Sequence, residues 1–506
     1  MSAPRKKHRK KMQEEKKSGT IIAMRVTVIL VVILLAFAVF INSPYLVRNA
    51  TAVEVEGEKY TVADFNFYFQ VAYNDFYITV QGANAPTSTM LPQAGKSLKS
   101  QIYNKETGET WSDFFRTLAL ENLKETTNIY KAAVAEGFTL SDEKREAMEN
   151  EIKTLMDTAK IYGYKKFDDY LEAIYGNGMT EEIFRKNVER KYIVDEYTSR
   201  YEESLKYSPE ELESYYEENK HLLDYFKYRY FLVRADKVDE EALGYDEEAI
   251  EKAKEAELEK ARVRAEEYAA RIHSEEDFIA VAREYNPEDY GKDDSTLRFY
   301  KGDLLGSVYG PWLRDEERRE GDVTTAKITT GYYVVYFISR NDNRYLTHNI
   351  RYLTIAPNSV DLESGTDEEK AAKLEEYKKE AEKVANEAYN QWMSTGGTEE
   401  SFLEIAELYE GVTNVRTESG TIENVYLSEL PEVCEEWIFS GDRKVGDGTL
   451  LYDPEVGYYI IYYAGTGRVY RELLAEEGLR DRDMREWKSS MTAKDANVTW
   501  FMRLAL

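Results

Sequence analysis

The chain has 506 residues, and its 67 Lys and Arg against 95 Asp and Glu give a formal net charge of −28. The first 25 residues hold nine basic and two acidic side chains, which leaves 58 basic and 93 acidic residues, a net charge of −35, for the remainder. A body this acidic repels phosphate backbones, so we expect no nucleic-acid partner.

Cysteine and histidine usage argues against metal chemistry. Cys434 is the single cysteine, which excludes an internal disulfide framework and a cysteine-based zinc cluster. The four histidines show no metal-ligand spacing, and the chain has neither a Gly-rich phosphate loop nor a Gly-x-Ser-x-Gly elbow. We therefore expect no metal site and no cofactor.

The chain begins with a basic tail, residues 1–20, followed by an apolar segment at residues 21–41. Arg25 is the only charge in that segment, and its long side chain can reach the headgroups. About 20 apolar residues cross a bilayer, and the basic side stays in the cytoplasm. We expect a single-pass membrane helix with the bulk of the chain outside. A cleaved signal peptide is the alternative, although such peptides have a shorter apolar region and a small-residue cleavage site.

Residues 52–222 begin with a short hairpin and continue as helices. Gly57 marks the hairpin turn, and Thr61 with Asp64 forms a capping pattern at the start of a helix. Its predicted apolar face consists of Phe65, Tyr68, Phe69, Ala72 and Phe76. Residues 82–108, rich in Gly, Pro, Ser and Thr, are expected to form a loop or flap.

From Trp111 to His221 the pattern is helical throughout. Helix starts are predicted at Ser141, Thr180 and Ser208, the last with Pro at the first helical position. Each is a hydroxyl side chain followed by acidic residues, which is typical of a helix N-terminus.

Two stretches of the following sequence repeat one another. A strand, a helix and a second strand recur in the same order, at offsets of 122, 124 and 126 residues. An offset above 100 residues is a domain length and too long for a solenoid unit, so the sequence predicts a duplicated domain at 223–343 and 344–466. The matching segments are Arg229–Val233, Ser274–Tyr285 and Gly331–Phe337 in the first copy, and Arg351–Ile355, Thr398–Tyr409 and Gly457–Tyr463 in the second.

The remaining residues, 467–506, contain an amphipathic helix and a final apolar stretch, Asn497–Phe501. An apolar stretch of this kind needs another face to cover it. We expect it to return to the first module and pair near Ala52–Tyr60.

In this order, the segments resemble the SurA and PrsA proteins, membrane-anchored or extracytoplasmic foldases that join a helical chaperone module to parvulin-type peptidyl-prolyl isomerase domains. The resemblance implies an α+β fold: an N-terminal transmembrane helix, a mainly helical SurA-N-like module, two tandem parvulin-like domains with small antiparallel sheets, and a C-terminal segment returning to the module. The segments that carry the resemblance in the first module are Tyr60–Phe65, Ala132–Glu143, Gly176–Phe184 and Ser208–Asn219.

The family's isomerase residues are changed in both copies. The first family histidine falls on Tyr230 and Tyr352, and the second on Tyr333 and Tyr459. The family's acid aligns loosely with Glu288 in the first copy and has no counterpart in the second. The family's Gly-Gly-Asp-Leu-Gly segment is replaced in both copies. A tyrosine hydroxyl can donate and accept a hydrogen bond, but it does not reproduce a pair of imidazoles.

Three functions remain open. The first is a chaperone that binds unfolded or newly exported polypeptides, with weak or inactive isomerase domains. The second is an active isomerase with a tyrosine-lined site, and the third is an envelope adaptor for one fixed partner. The expected location is the plasma membrane of a Gram-positive-type bacterium, with the bilayer contacted through residues 21–41 and homo-oligomerisation left open.

Overall fold

The computed structural model describes residues 40, 43–82, 91–358, 366–412 and 415–506. The predicted membrane segment at 21–41, apart from Phe40, lies outside these residues. No helix in the described ranges combines the length and apolarity needed to span a bilayer. The described chain divides into two compact units, the first comprising Met1–Lys206 with Arg480–Leu506 and the second Tyr207–Leu479.

The first unit contains a three-stranded antiparallel sheet and a group of long helices. Helix α1 is followed by the hairpin β1–β2, whose turn residues Glu56 and Gly57 have positive φ, as a tight hairpin turn requires. Strand β13 pairs with the other edge of β1, placing Val498 opposite Val53. The predicted return of the chain end is therefore confirmed. The elements are α1 (Pro44–Asn49), β1 (Thr51–Val55), β2 (Glu58–Thr61) and β13 (Ala496–Val498).

The helices of the first unit start where side chains cap them. Asp64 and Thr61 exchange side-chain and backbone hydrogen bonds, as the capping pattern predicts. Ser141 and Thr180 likewise accept hydrogen bonds from the first helical turn. The helices are α2 (Val62–Gly82), α3 (Trp111–Ala135), α4 (Asp142–Ile161), α5 (Phe167–Tyr175) and α6 (Glu181–Ser204).

One local prediction in the first unit, the loop or flap at residues 82–108, is confirmed only in part. Residues 91–97 form neither helix nor strand, and residues 83–90 lie outside the described residues. The stretch predicted as a loop ends in a small hairpin, β3 (Ile102–Asn104) with β4 (Glu109–Thr110), preceded by a 3-10 turn at Leu98–Ser100. Such a hairpin is too short to leave an alternating pattern in the sequence. It is held instead by stacking of Tyr103 against Phe114, with ring centroids 4.2 Å apart.

The second unit contains two four-stranded antiparallel sheets of the same topology. Sheet 1 has the order β6-β5-β8-β7, and sheet 2 has the order β10-β9-β12-β11. Two helices pack on one face of each sheet. The elements around sheet 1 are α7 (Pro209–Leu223), β5 (Tyr225–Arg234), α8 (Glu247–Ala269), α9 (Glu275–Tyr285), α10 (Pro287–Tyr290), β6 (Leu297–Lys301), α11 (Gly310–Leu313), β7 (Val323–Ile328) and β8 (Gly331–Asn341).

The elements of sheet 2 follow in the same order along the chain. They are β9 (Leu346–Pro357), α12 (Asp367–Ser394), α13 (Glu399–Tyr409), β10 (Val415–Val425), α14 (Glu432–Phe439), β11 (Gly448–Asp453) and β12 (Gly457–Val469), and then helix α15 (Tyr470–Met491). The described chain is thus an α+β protein with small antiparallel sheets and many helices. Helix α7, which the predicted boundary at residue 222 assigns to the helical module, packs within the second unit. The domain boundaries themselves stay a prediction.

Each sheet has two covered faces. In sheet 1, Phe231, Val334 and Tyr336 pack against the helices α8 and α9. Strand residues of the opposite parity, such as Phe226 and Val335, pack against residues of the segment that follows β6. Because side chains alternate along a strand, this second face is the one that receives the sequence-predicted tyrosines.

Candidate functional site

The structure brings Tyr230 and Tyr333 together on the second face of sheet 1. Tyr230 lies opposite Val335, and Tyr333 lies opposite Leu232, so the two tyrosines are diagonal neighbours on adjacent strands. Their ring centroids are 5.4 Å apart and the rings are nearly perpendicular at 85°. The positions aligned with the two family histidines thus form one contact in the first copy.

Two further tyrosines complete an aromatic cluster that the sequence analysis missed. Tyr309, just before α11, packs on Tyr230 at 5.7 Å and edge-on to Tyr333 at 5.3 Å. Its hydroxyl hydrogen-bonds with that of Tyr228, two residues before Tyr230 on β5. Burial raises the pKa of both Tyr228 and Tyr309, so their hydroxyls stay protonated. We call Tyr228, Tyr230, Tyr309 and Tyr333 the tyrosine cluster.

Arg298 supplies the one cation beside this cluster among the described contacts. Its guanidinium carbon lies 4.8 Å from the ring centre of Tyr230, and its Nη2 donates to the Tyr230 hydroxyl over 3.4 Å. Strand β6 places it there because Arg298 lies opposite Tyr228. A cation over an aromatic face is a stabilising arrangement, and it also places a hydrogen-bond donor beside the tyrosine cluster.

Glu288, the loosely aligned acid, is not brought to the tyrosine cluster. It is an exposed residue of the short helix α10. The same helix packs Tyr290 against Phe231, with centroids 6.0 Å apart, on the helix-covered face of sheet 1. Glu288 therefore belongs to the opposite side of the sheet from Tyr230 and Tyr333.

The second copy repeats the diagonal arrangement. Tyr352 lies opposite Ile461, and Tyr459 lies opposite Thr354, on the same face of sheet 2. The Tyr352 hydroxyl donates to Glu418 Oε1 over 3.3 Å. Burial raises the pKa of Tyr459 to about 12, and the neighbouring Cys434 adds to this shift.

A histidine on this face of sheet 2 also escaped the sequence analysis. The Nδ1 atom of His348 lies 2.8 Å from the Tyr463 hydroxyl, and its ring packs edge-on to Phe439 at 4.6 Å. With the offsets of 122 and 126 residues, His348 and Tyr463 occupy the positions of Phe226 and Phe337. The strand registers agree, because Thr466 opposite His348 corresponds to Arg340 opposite Phe226. A residue-by-residue comparison of the two copies along their strands would have shown that His348 and Tyr463 in the second copy replace two phenylalanines of the first.

The first unit contains an open apolar cleft of about 890 Å³. One wall is the outward face of α2, where Tyr73 stacks on Tyr77 and Ile78 is 68 % exposed. This face lies beside the apolar face predicted from the sequence, which points into the core. The full lining is Phe69, Gln70, Tyr73, Asn74, Tyr77, Ile78, Leu91–Lys99, Ile174 and Leu506.

Polar side chains also line the cleft: Gln70, Asn74, Gln93, Lys96, Ser97 and Lys99. Lys99 donates from Nζ to the Ala505 carbonyl over 3.1 Å, and burial lowers the pKa of this lysine. The cleft therefore combines aromatic and aliphatic surface with side chains that can form hydrogen bonds. Within the ranges that the structure describes, no cluster of three or more His, Cys, Asp or Glu side chains could hold a metal ion.

Comparison with known proteins gives one sequence relative at significant similarity. No protein-family profile matches the chain. A foldase protein PrsA from Caldanaerobacter subterraneus subsp. tengcongensis is 22% identical over 287 residues, which cover 56% of this chain and 71% of the relative. The resemblance to SurA/PrsA-type foldases is confirmed by this relative.

Solved structures that match the chain include two PrsA proteins. One is the peptidylprolyl isomerase PrsA from Bacillus cereus, 14% identical, covering 63% of this chain and 95% of that chain, with a TM-score of 0.22. Another is the foldase protein PrsA from Streptococcus pneumoniae, 13% identical, covering 56% of this chain and 86% of that chain, with a TM-score of 0.21.

Proposed function

We propose that this protein is a membrane-anchored extracytoplasmic chaperone that binds unfolded, newly exported polypeptides. The observation that carries the proposal is the cleft of the first unit, where Tyr77 and Ile78 are exposed and the half-buried Tyr73 stacks on Tyr77. The name of the PrsA relative, a foldase, supports the same class of activity.

The cleft has the properties that a polypeptide-binding site needs. Its volume of about 890 Å³ is at the upper end for ligand pockets and has room for several side chains. Tyrosine rings give large contact area at a small loss of side-chain entropy, and they accept apolar partners of varied shape. A binding surface built this way is tolerant of sequence, as a chaperone for many clients requires.

We further propose that the isomerase activity of the two copies is weak or lost. An isomerase stabilises a twisted prolyl amide with preorganised hydrogen bonds in an apolar groove. In the first copy, Tyr309 packs against both Tyr230 and Tyr333 and is hydrogen-bonded to Tyr228. In the second copy, the Tyr352 hydroxyl is engaged by Glu418. These hydroxyls serve contacts within the protein, and Glu288 lies on the other face.

The membrane anchor and the topology belong to the same proposal. They are supported by the apolar segment at residues 21–41, the basic tail before it and the acidity of the chain after it. A negative body outside the cell keeps bound clients in solution by mutual repulsion. Release of the full chain from membranes by carbonate washing would contradict the anchor.

The chaperone proposal is tested with the full chain in nanodiscs and a chemically unfolded client. The double variant Tyr77→Ser with Ile78→Ser removes exposed apolar contacts without touching the core. We expect about tenfold more variant than unmutated protein to be needed for the same suppression of client aggregation. The matched control is Leu408→Ser with Val445→Ser, two residues exposed to a similar extent in the second unit. Equal suppression by all three proteins would refute the cleft as the client site.

A second candidate, an active isomerase, is favoured by one observation. Arg298 presents a donor beside the tyrosine cluster, at 3.4 Å from the Tyr230 hydroxyl. Proline-limited refolding of a model client distinguishes the two functions. Acceleration that disappears in the variant Tyr230→Ala with Tyr333→Ala would establish the isomerase, whereas unchanged rates with suppressed aggregation support the chaperone. Crosslinking in cells separates both from an adaptor, because a chaperone traps many clients and an adaptor traps one.

A further inference from the structure

The turn between α4 and α5 presents the two most exposed large hydrophobic side chains of the described residues. Ile161 is 83 % exposed and Tyr162 is 71 % exposed, and they are adjacent in the chain. Single exposed apolar residues are common on protein surfaces, whereas this adjacent pair forms a small contiguous apolar patch.

The backbone of this turn is fixed, so the exposure is a property of the fold. Tyr164 N donates to the Ala159 carbonyl and Gly163 N donates to the Lys160 carbonyl, both over 3.0 Å. Together with the left-handed φ of +84° at Gly163, these bonds form a Schellman motif that ends α4. Ile161 and Tyr162 are therefore held outward by a well-defined helix end.

Lysines surround the pair in a chain that is otherwise strongly acidic. Lys160, Lys165 and Lys166 are all exposed. Lys160 also pairs with Asp157 on the surface of α4 over 2.8 Å, a contact that leaves most of its charge accessible to solvent. Of the acids that follow the turn, Asp168 is directed at the next helix, because its Oδ1 accepts a hydrogen bond from Glu181 N. We call residues 160–166 the lysine turn.

The lysine turn and the residues that follow the predicted anchor lie toward opposite ends of one short helix, α5. Helix α1 begins at Pro44, directly after residues 21–41, and Arg48 in α1 donates from Nε to the Gly178 carbonyl over 2.9 Å. Arg48 also pairs with Glu172 near the end of α5. The lysine turn precedes the other end of α5, a nine-residue helix about 13 Å long.

We propose that the lysine turn is a second membrane contact, with Ile161 and Tyr162 entering the interfacial region of an anionic bilayer and the three lysines meeting lipid headgroups. This inference rests on the anchor in the proposed function. Tyrosine and lysine beside an inserted apolar side chain match the polarity gradient of a membrane interface. The anchor raises the local concentration of lipid at the turn, so a contact of few residues suffices. A client polypeptide requires no lysine cluster, which favours an anionic lipid surface as the occupant.

The test uses the full chain in nanodiscs with an environment-sensitive fluorophore on an introduced cysteine. The native Cys434 is fully buried, so labelling is directed to the new thiol. Ile161→Cys is the probe position. The matched control is Leu304→Cys, which is 70 % exposed in the second unit. We expect a blue shift of the fluorophore at position 161, but not at position 304, in discs that contain anionic lipid.

The charge contribution is tested with Lys160→Glu, Lys165→Glu and Lys166→Glu on the Ile161→Cys background. Each lysine removed is expected to weaken the contact about fivefold, so the triple variant loses the blue shift. A shift of equal size in purely zwitterionic discs would overturn the assignment to anionic lipid. A shift that appears only when an unfolded client is added would overturn it in favour of a client site.

The nanodisc experiment distinguishes a wrong assignment of the lysine turn from a wrong assignment of the membrane anchor. If the chain stays with the discs but the fluorophore at position 161 reports water, the lysine turn is not a membrane contact while the anchor stands. If the chain separates from the discs, the anchor fails and this inference fails with it.

Discussion

Arg229 on β5 donates from Nε to Oε1 of Glu275 at the start of α9 over 2.7 Å. Arg351 on β9 makes the same bond to Glu399 at the start of α13 over 2.8 Å. The pairs are separated by the same offsets of 122 and 124 residues that revealed the repeat. The duplication has thus kept the ion pair that ties the second helix to the first strand, while the surroundings of the two pairs have diverged.

Replacing Arg229 by Met should be more damaging than replacing Arg351 by Met. Arg229 is buried and also donates to the Asp293 carbonyl and to Thr296 Oγ1, so its loss leaves buried acceptors without a donor. We expect a loss of about 3 kcal/mol in the free energy of local unfolding for Arg229→Met, and about 1 kcal/mol for the more exposed Arg351. Hydrogen exchange of α9 and α13 in the full chain measures both. Equal losses of stability for Arg229→Met and Arg351→Met would contradict the idea that the deeper burial of Arg229 makes its ion pair more important.

The second copy should lose stability in mild acid because of His348. Burial lowers the pKa of its imidazole below the usual value of 6.5, so the folded protein holds it neutral while the unfolded chain takes up a proton. The stability that the neutral imidazole contributes is fully present above pH 6.5. It is lost as the pH falls from 6.5 through the lower pKa that His348 has in the folded protein. His348→Phe, which restores the residue at the equivalent position in the first copy, should remove this dependence.

Hydrogen exchange of β9 and β12 at about pH 7.5 and about pH 5.5 checks the prediction for His348. His273→Gln is the control, since His273 is exposed in the first copy. The same acid-induced loss of protection in the unmutated chain and in His348→Phe would rule out the imidazole as its cause.

Gly448 should not tolerate even an alanine. A Cβ atom added there would lie 2.0 Å from Cη2 of Trp392, whose buried ring is held at its other end by a hydrogen bond from Nε1 to the Thr398 carbonyl. We expect Gly448→Ala to cost about 1–3 kcal/mol, because the ring must move within a packed core. Gly306→Ala, where an added Cβ meets no atom within 4 Å, should change stability by less than about 0.5 kcal/mol. Thermal unfolding with tryptophan fluorescence compares the two variants, and equal midpoints would mean that the ring yields freely.

Cys434 should be inert in the folded protein. Burial, together with the charges of Asp453 and Glu435, raises the pKa of its thiol to about 12, so the reactive thiolate is scarce near neutral pH. A chromogenic disulfide reagent should react with the unmutated chain only after unfolding, and with Ile161→Cys at once. Rapid reaction of the native thiol would show that α14 opens readily.

Local patterns in the sequence predicted much of the fold. The hairpin at Gly57, the Thr61–Asp64 capping interaction and the helix starts at Ser141, Thr180 and Ser208 depend on neighbouring residues only, and the structure confirms them. The resemblance singled out Tyr230 and Tyr333 as the positions of the two family histidines, and alternation along the paired strands puts both on one face.

The parts that escaped prediction depend on contacts between distant segments. Tyr309 lies against Tyr230 and Glu288 lies away from it because of how α11 and α10 pack on the sheet. No local sequence pattern encodes that packing. The cleft of the first unit arises from α2 together with a loop and the last residue, Leu506, which are far apart in the sequence. The membrane helix at residues 21–41 stays a prediction.

The pairing of β13 with β1 sets an order of events for a chain that is made from its N-terminus. Val53 and Val55 are fully buried in a sheet whose third strand is Ala496–Val498, more than 400 residues later. The second unit is complete in sequence before that strand has left the ribosome. The first unit, which carries the proposed client cleft, therefore acquires the third strand of its sheet only after the whole second unit has been synthesised.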